Sequence, residues 1–277
     1  MSVLYWIVIA IGVLVALKLG VLWAEPRMAF VGRFGPTPPP PGFQRFEMRT
    51  PDGVRLTGWR TEIAPEGPVF LYLCGNAGNL SDRTELLARA AEKQMSVLSF
   101  NYRGTGESEG RNSEAHAYDD AALLHRYAAE TLKISATRLV IWGHSIGGAV
   151  AAELALRAPC AGVVLEATFR SARLMARRMM PVLPLHWLMT YRFDNEERVR
   201  RLTRPLLFIH GDLDATIPLQ DSHLLYGLAK SDKELWVVEG ADHNDNYEVA
   251  GPQFFDRLRE FGLRVTAGAG RLSPSVS

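Results

Sequence analysis

Cysteine is scarce in this chain, and neither sign of charge predominates. The 277 residues include two cysteines, Cys74 and Cys160, which are too few for a disulfide framework and form no zinc-binding pattern. The 31 Lys and Arg residues nearly balance the 30 Asp and Glu residues, giving a formal net charge of +1. This balance gives no basis for binding nucleic acid. No internal repeat is apparent, and the length is compatible with one main domain.

One long apolar run is present, at residues 3–24, and Lys18 alone interrupts it. About 20 apolar residues span a bilayer as a helix, and Tyr5 and Trp23 near the ends of the run suit the membrane interface. We therefore interpret residues 1–25 as a transmembrane anchor, with Lys18 extended toward the headgroups. A cleaved signal peptide is the alternative. It is disfavoured because no positive side chain precedes the run and LWA is a poor cleavage site.

The segments on either side of the main domain differ in composition from it. Lys18, Arg27 and Arg33 lie toward the C-terminal flank of the apolar run and no Lys or Arg precedes it, which favours a cytoplasmic C-terminal domain. Residues 26–42 include GRFGPTPPPPGF, which predicts an extended Pro-rich linker. Residues 266–277 are small and polar and predict a disordered tail.

Residues 43–265 alternate between strand and helix patterns. FEMRT and VRLTGWRTEI flank a turn at Pro51-Asp52-Gly53 and predict a hairpin. Further apolar strands are predicted at PVFLYLCG, SVLSF, RLVIWG, AGVVLEA, PLLFIHG and KELWVVEG. Helical patterns separate most of them, at about residues 82–94, 114–132, 146–157, 219–229 and 252–263. The alternation predicts an α/β fold with a mainly parallel sheet covered by helices on both faces. Sites in such sheets lie at the carboxyl ends of the strands.

Residues 143–147, GHSIG, join a predicted strand to a predicted helix. They match the G-x-S-x-G nucleophile elbow, in which small residues flank a serine held in a strained turn. The N-terminus of the following helix then directs its free N–H groups at the reacting oxygen. The alternative is that Ser145 is an ordinary helix cap.

A serine hydroxyl becomes a strong nucleophile only beside a base that is oriented by a carboxylate. Asp214 and His243 follow the two last predicted strands, at the sheet edge where Ser145 emerges. Asp212 and Glu166 are alternatives for the acid. The remaining histidines fall at strand ends, in helices or in an insertion, where structural or surface roles are expected: His116, His125, His144, His186, His210 and His223. His144 is expected to point away from the site.

An oxyanion hole needs two preorganised donors, each worth roughly 10²–10³ in rate. One is predicted to be the backbone N–H of Ile146, directly after the nucleophile. The other is predicted to be the backbone N–H of Asn76 in CGNAGN, where Gly75 and Gly78 allow close approach of the substrate. A plain Gly/Asn turn is the alternative for this loop.

Five motifs in order resemble signatures of alpha/beta hydrolases. They are residues 74–79 (CGNAGN), 101–110 (NYRGTGESEG), 143–148 (GHSIGG), 210–214 (HGDLD) and 240–245 (GADHND). The chain most resembles a membrane-anchored branch with an HGNAGN oxyanion loop, which includes protein depalmitoylases and lysophospholipid hydrolases and is often grouped with serine aminopeptidase-like domains. Cys74 stands where that branch usually has His.

The resemblance covers residues 43–265 and implies an alpha/beta-hydrolase fold. It implies Ser145 as nucleophile, Asp214 as acid and His243 as base, with oxyanion amides at Asn76 and Ile146.

The insertion at residues 168–204 lies where such folds carry a lid. It combines methionines, which adapt to irregular apolar partners, with many arginines, including Arg177 and Arg178. One hypothesis is an acyl-chain entrance that faces anionic lipid. The other, slightly favoured, is an amphipathic helix that packs its Met/Leu face on the sheet.

These patterns predict a membrane-anchored serine hydrolase of carboxylic esters or thioesters, with acyl or lipid-like substrates. Its partners are then the substrate and the bilayer around residues 3–24, and no metal or organic cofactor is needed. A serine aminopeptidase-like peptidase is the main alternative, because the triad would be the same. A catalytically silent membrane scaffold is disfavoured, since neither the nucleophile nor the base is missing.

Overall fold

The computed structural model describes residues 2–181 and 184–269. Its strands are β1 (Val31–Gly32), β2 (Phe43–Arg49), β3 (Arg55–Thr61), β4 (Val69–Leu73), β5 (Ala77–Gly78), β6 (Ser96–Phe100), β7 (Leu139–His144), β8 (Gly162–Glu166), β9 (Leu206–Gly211) and β10 (Lys233–Val238). Its α-helices are α1 (Val3–Ala29), α2 (Thr84–Glu92), α3 (Glu114–Arg126), α4 (Ile146–Arg157), α5 (Ala172–Met179), α6 (Asn195–Arg201), α7 (Leu219–Leu228), α8 (Asn246–Val249) and α9 (Pro252–Ala269). Short 3₁₀ turns occupy Leu80–Arg83, Ala136–Arg138 and Pro184–Trp187, and a π-turn occupies Tyr127–Thr131.

Eight strands form the central sheet, in the order β10-β9-β8-β7-β4-β6-β3-β2. The pairs from β10 to β6 are parallel, whereas β2–β3 and β3–β6 are antiparallel. The β2–β3 hairpin turns at Gly53, which has a φ of 83° that favours glycine. This topology confirms the predicted mainly parallel α/β sheet.

The core lies along β4, β7, β8 and β9, whose residues are all buried. Continuous apolar strands of this kind are expected where helices cover both faces of a parallel sheet. Helix α9 packs closely on β8 at Gly162. A Cβ at this position would lie only 3.0 Å from Val265 and 3.1 Å from Phe261.

Helix α1 is the one helix in the described part of the chain that is long and apolar enough to span a membrane. It continues to Ala29, four residues beyond the predicted anchor. The rest of the predicted linker, residues 30–42, also differs from a free spacer, because it packs on the domain. Within it, β1 pairs with β5, and Trp59 Nε1 donates to the backbone carbonyl of Thr37 at 3.1 Å. These contacts attach residues 30–42 to the domain at two points.

The C-terminal helix also extends beyond its predicted end. Residues 266–269 of the predicted tail continue α9, and Thr266 Oγ1 donates to the carbonyl of Gly262 at 2.9 Å within it. The remainder of the predicted tail, residues 270–277, lies outside the described residues.

The insertion at residues 168–204, which we call the lid, contains α5, a 3₁₀ turn and α6. Serine and aspartate side chains begin both helices: Ser171 accepts from the N–H of Leu174 and Asp194 from that of Glu197. These caps satisfy an N–H group in the first turn of each helix, and the arginines and methionines that follow have high helix propensity.

Candidate active site

Ser145 occupies a sharp turn between the last residue of β7 and the first residue of α4. Its φ of 56° and ψ of −120° fall where side chains rarely lie, which costs about 1–3 kcal/mol unless the surroundings hold the residue in place. Two hydrogen bonds do so. The Ser145 N–H donates to the Glu166 carbonyl at 2.8 Å, and Thr168 Oγ1 donates to the Ser145 carbonyl at 2.7 Å.

The glycines around Ser145 are required by close backbone approach. A Cβ on Gly143 would lie 2.1 Å from the carbonyl oxygen of Gly147, and one on Gly147 would lie 2.0 Å from that of Leu73. Neither neighbour is a flexible side chain, so neither clash is relieved cheaply. The G-x-S-x-G pattern therefore has a steric origin in this fold.

Ser145, His243 and Asp214 form one continuous hydrogen-bonded chain. His243 Nε2 lies 3.1 Å from Ser145 Oγ, and His243 Nδ1 lies 2.8 Å from Asp214 Oδ2. The carboxylate accepts from Nδ1–H, which leaves the Nε2 lone pair facing the serine hydroxyl. All three residues are buried, although they come from loops after three different strands.

Asp214 is held as a carboxylate by several donors. Its Oδ1 accepts from the N–H groups of Thr216 and Ile217 at 2.9 and 2.7 Å, and His210 Nε2 lies 3.2 Å from its Oδ2. Burial alone would raise the pKa of Asp214, but the bonds from His210, His243 and the Ile217 N–H hold this pKa well below its usual value. His210 Nε2 also donates to the carbonyl of Ile217 at 2.8 Å, so this histidine holds the loop that carries Asp214, which agrees with its expected structural role.

The alternative acids have other partners. Asp212 Oδ1 accepts from the N–H of Gly240 at 2.6 Å and so joins two loops. Glu166 accepts from Trp142 Nε1 at 2.9 Å and Asn246 Nδ2 at 3.2 Å, and burial raises the pKa of its carboxyl. Among the described contacts, neither carboxylate is bonded to the side chain of the base.

His144 was expected to point away from the site, but its ring lies beside the base. His144 Nε2 donates to the backbone carbonyl of His243 at 2.9 Å, and the two ring centroids are 5.1 Å apart. Burial holds the pKa of His144 well below its usual value, so the ring stays neutral. His144 therefore fixes the backbone of the loop that carries His243.

Asn76 and Ile146 line the same cavity as Ser145 and His243. Ile146 is the first residue of α4, where backbone N–H groups have no partner within the helix. Cys74 begins the loop that carries Asn76. Its carbonyl accepts from the Tyr102 hydroxyl at 3.3 Å, and its buried thiol lies 3.7 Å from Ser99 Oγ. Burial raises the pKa of this thiol, so Cys74 is a support for the loop and not a reactive group.

A cavity of about 830 Å³ opens from Ser145. This volume lies within the range of about 300–1,000 Å³ typical of small-molecule sites. Helix α1 and the lid form most of its apolar wall, with Val13, Ala16, Leu17, Gly20, Val21, Ala24, Met28, Met175, Ala176, Met179, Met180 and Met189 among the lining residues. Sequence reasoning did not predict that α1 would contribute to it.

Polar contacts fasten α1 to the lid. Glu25 is buried, and its carboxylate accepts from the N–H groups of Thr190 and Tyr191 and from the Thr190 hydroxyl. Lys18 Nζ donates to the carbonyl of Leu188, whereas the sequence predicted that it would extend toward headgroups. The sequence signal for this arrangement was weak, since it consisted only of Lys18 and Glu25 in the C-terminal part of an apolar run.

Two arginines near the cavity have different environments. Arg83 lines the cavity, and its Nη2 donates to Asn244 Oδ1 at 3.2 Å. Arg178 of the lid instead forms a bidentate ion pair with the fully buried Asp221, at 2.7 and 2.5 Å. The Arg178 guanidinium therefore stabilises the fold by pairing with Asp221 and does not face lipid as one of the two hypotheses for the lid expected.

Comparison with known proteins places this chain in a wider group. A family model for the alpha/beta hydrolase fold matches residues 68–202. The chain is 33% identical over 257 residues to an uncharacterized protein of Mycobacterium tuberculosis, covering 90% of this chain and 91% of that protein. It is 31% identical over 230 residues to bem46 of Schizosaccharomyces pombe, covering 79% and 76% of the two chains.

Solved structures with the same fold include an esterase of Pyrococcus furiosus and an alpha/beta hydrolase of Vibrio vulnificus. The first has a TM-score of 0.67 at 19% identity and covers 80% of this chain and 90% of its own. The second has a TM-score of 0.67 at 21% identity and covers 80% and 82%. The relatives and the fold agree with the motifs, and the chain belongs to the alpha/beta-hydrolase superfamily, in its bem46-like branch.

Proposed function

We propose that this protein is a membrane-anchored serine hydrolase that cleaves carboxylic esters or thioesters of acyl or lipid-like substrates. The observation that carries the proposal is the unbroken chain from Ser145 Oγ through His243 to Asp214, with distances of 3.1 and 2.8 Å. Each member matches its role in residue type, orientation and burial.

The chemistry follows from these contacts. Ser145 Oγ attacks the acyl carbon while His243 Nε2 takes the hydroxyl proton, and Asp214 stabilises the resulting imidazolium. The N–H groups of Asn76 and Ile146 donate to the oxyanion. His243 then returns the proton to the leaving alcohol or thiol. Water, deprotonated by His243, attacks the acyl-enzyme, and this step releases the carboxylic acid and restores Ser145.

The composition of the cavity favours an acyl substrate over a peptide with a free amino terminus. An aminopeptidase needs an acidic group for the substrate amine, and Glu25 is the one carboxylate among the described residues that line the cavity. Both of its oxygens already accept hydrogen bonds from residues 190–191. The apolar wall instead suits methylene chains.

An uncleaved α1 is part of the proposal. Cleavage after Ala24 would remove Lys18, whose Nζ donates to the carbonyl of Leu188 in the lid, and with it the part of α1 that lines the cavity from Val13 to Ala24. The catalytic domain is proposed to be cytoplasmic from the positions of Arg27 and Arg33. Cleavage of the domain by protease added to intact cells would contradict this orientation, and cleavage only after permeabilisation would support it.

Labelling with a fluorophosphonate tests the proposal. The full-length wild type is expected to react at Ser145, and Ser145→Ala is expected to lose labelling and at least about 10³-fold in ester hydrolysis. Circular dichroism checks that both proteins are folded. Equal labelling of the two proteins would contradict the proposal. A panel of p-nitrophenyl esters, acyl thioesters and an aminoacyl anilide then identifies the bond, and the anilide is expected to be the poorest substrate.

A further inference from the structure

We propose that α1 is a wall of the acyl-binding site as well as an anchor. In this inference, which rests on the proposed function, one acyl chain of a membrane lipid ester enters the cavity directly from the bilayer, between α1 and the lid. The cavity has Ser145 at its polar end and α1 along its apolar side.

One face of α1 lines the cavity. Val13, Leu17, Gly20, Ala24 and Met28 are among its lining residues, and their spacing of three or four residues places them on one side of an α-helix. Small residues recur on this face, which leaves room along the helix for a flexible chain. Gly12 lies in the same helix but does not line the cavity, so the two sides of α1 are distinct.

The lid provides the opposite wall. Met175, Met179 and Met189 line the cavity from this side, and methionine side chains adapt to chains of irregular shape. Met179 is 65% exposed and Trp187 is 79% exposed. Large apolar groups in these positions are expected where the outer surface of the lid meets the membrane and not water.

The height of the cavity along α1 indicates where its entrance lies. A span of about 20 residues that begins at Val3 includes Val13, Leu17 and Gly20, so the cavity wall overlaps the segment inside the hydrocarbon. The contact of Lys18 with Leu188 holds the lid against this same segment, and the contact of Glu25 with Thr190 holds it just beyond the end of the span. An acyl chain that follows this path passes from the bilayer to the cavity without contacting water. Exposure of the chain to water would lower the equilibrium constant for transfer by roughly a factor of four for each methylene exposed.

Paired tryptophan substitutions in α1 test the inference. A Cβ on Gly20 or on Gly12 meets no atom within 4 Å, so neither position has a neighbour that crowds the first carbon of a side chain, but only position 20 lines the cavity. The full-length proteins are reconstituted in phosphatidylcholine vesicles and labelled with two fluorophosphonates, one with an ethyl chain and one with a hexadecyl chain. The measured quantity is the ratio of the two labelling rates.

The hexadecyl-to-ethyl ratio is expected to fall about tenfold in Gly20→Trp, because the indole displaces at least two methylenes from the cavity. Gly12→Trp is expected to keep the wild-type ratio. An unchanged ratio in Gly20→Trp, or an equal fall in Gly12→Trp, would overturn the inference. If the wild type reacts with neither probe, the proposed serine chemistry itself has failed, which is a different result.

We also infer, from a separate observation, that Arg83 binds an anionic group of the substrate next to the scissile bond. Arg83 lines the cavity together with Ser145 and His243, and no carboxylate of the described residues pairs with it in an ion bridge. Its recorded side-chain bond is to Asn244. A partly buried guanidinium without a carboxylate suits a phosphate or carboxylate ligand, for which arginine offers two parallel donors.

Inhibition of p-nitrophenyl butyrate hydrolysis by dodecyl phosphate and by dodecanol tests this role. Arg83→Gln is expected to weaken inhibition by dodecyl phosphate about tenfold or more, because a charge-assisted bond is lost, and to leave inhibition by dodecanol unchanged. Arg83→Lys is expected to restore part of the phosphate effect. Equal weakening of both inhibitors, or no preference for the phosphate in the wild type, would overturn the inference and make Arg83 a support for the Asn244 loop.

Discussion

The polar and apolar ends of the cavity are built in different ways. At the polar end, backbone geometry and hydrogen bonds define each position: Ser145 lies in a turn closed by two bonds, and Asp214 accepts from several donors. At the apolar end, helix α1 and the methionines of the lid surround open space. Bond cleavage needs atoms held within fractions of an ångström, whereas a methylene chain needs only apolar surface.

This contrast predicts that small substitutions at the polar end change activity or stability strongly. Substitutions in the lid are expected to change stability mainly where they remove the partner of a buried charge. The largest effect is expected for Asp214→Asn, because the amide would favour the wrong tautomer of His243. Activity is expected to fall about 10³–10⁴-fold with little loss of structure. The measurement is kcat/KM on a short p-nitrophenyl ester.

Asp212→Asn is the matched control for this change. Asp212 lies two residues earlier and bonds only the N–H of Gly240, so its substitution is expected to change activity less than about tenfold. A larger loss of activity in Asp212→Asn than in Asp214→Asn would assign the acid to Asp212 and would contradict the account of the polar end given above.

The second effect is on stability, at Gly147. A Cβ there would lie 2.0 Å from the Leu73 carbonyl oxygen, and Gly147→Ala is expected to destabilise the fold by about 3 kcal/mol or more through overpacking against backbone. Gly227→Ala is the control, since a Cβ at this helical position meets no atom within 4 Å. It is expected to stabilise by about 0.5–1 kcal/mol. Urea unfolding of both variants measures the difference, and similar values would contradict the steric account of the elbow.

The third effect separates two adjacent arginines of the lid. Arg178→Ala leaves the buried carboxylate of Asp221 without its partner, and the expected loss is about 1–3 kcal/mol after allowance for the partial exposure of Arg178. Arg177→Ala is expected to change the free energy of unfolding by less than about 0.5 kcal/mol. Thermal unfolding compares them, and equal melting temperatures would show that the Arg178–Asp221 pair contributes nothing to stability.

The smallest expected effect is on the stability of the fold at low pH. The pKa of Asp214 is lower in the folded protein than its usual value of about 3.9, so its carboxylate stabilises the fold above that value. This contribution is lost as the pH falls from about 4 toward the lower folded pKa. Asp214→Asn is therefore expected to lose less stability than the wild type between pH 6 and pH 3. Urea titrations at both pH values measure it, and parallel losses in the two proteins would contradict the assignment.

The candidate catalytic edge of the sheet could be predicted from the sequence because its signals are local. GHSIG predicts a turn by its small residues, and Asp214 and His243 each follow an apolar strand in a loop rich in turn-forming residues. A parallel sheet brings such strand ends together whatever their separation in the chain. The fold and the convergence of these residues therefore followed from patterns only a few residues long.

The wall formed by α1 could not be predicted in this way. The contact of Glu25 with Thr190 joins residues 165 positions apart, and an apolar run of this kind is compatible equally with an isolated span and with a docked helix. The position of His210 beside Asp214 and Ile217 was missed for a similar reason. Which face of a histidine meets a neighbouring carboxylate depends on loop geometry that spacing alone does not specify.

The positive φ of Ser145 places stability and reactivity in opposition at one residue. Glycine adopts this backbone conformation without strain, so Ser145→Gly is expected to relax the turn and raise the resistance of the domain to unfolding while removing the proposed nucleophile. Ser145 thus holds its hydroxyl at an energetic cost that glycine would avoid, which is expected of a residue that serves the chemistry of the site and not the stability of the turn.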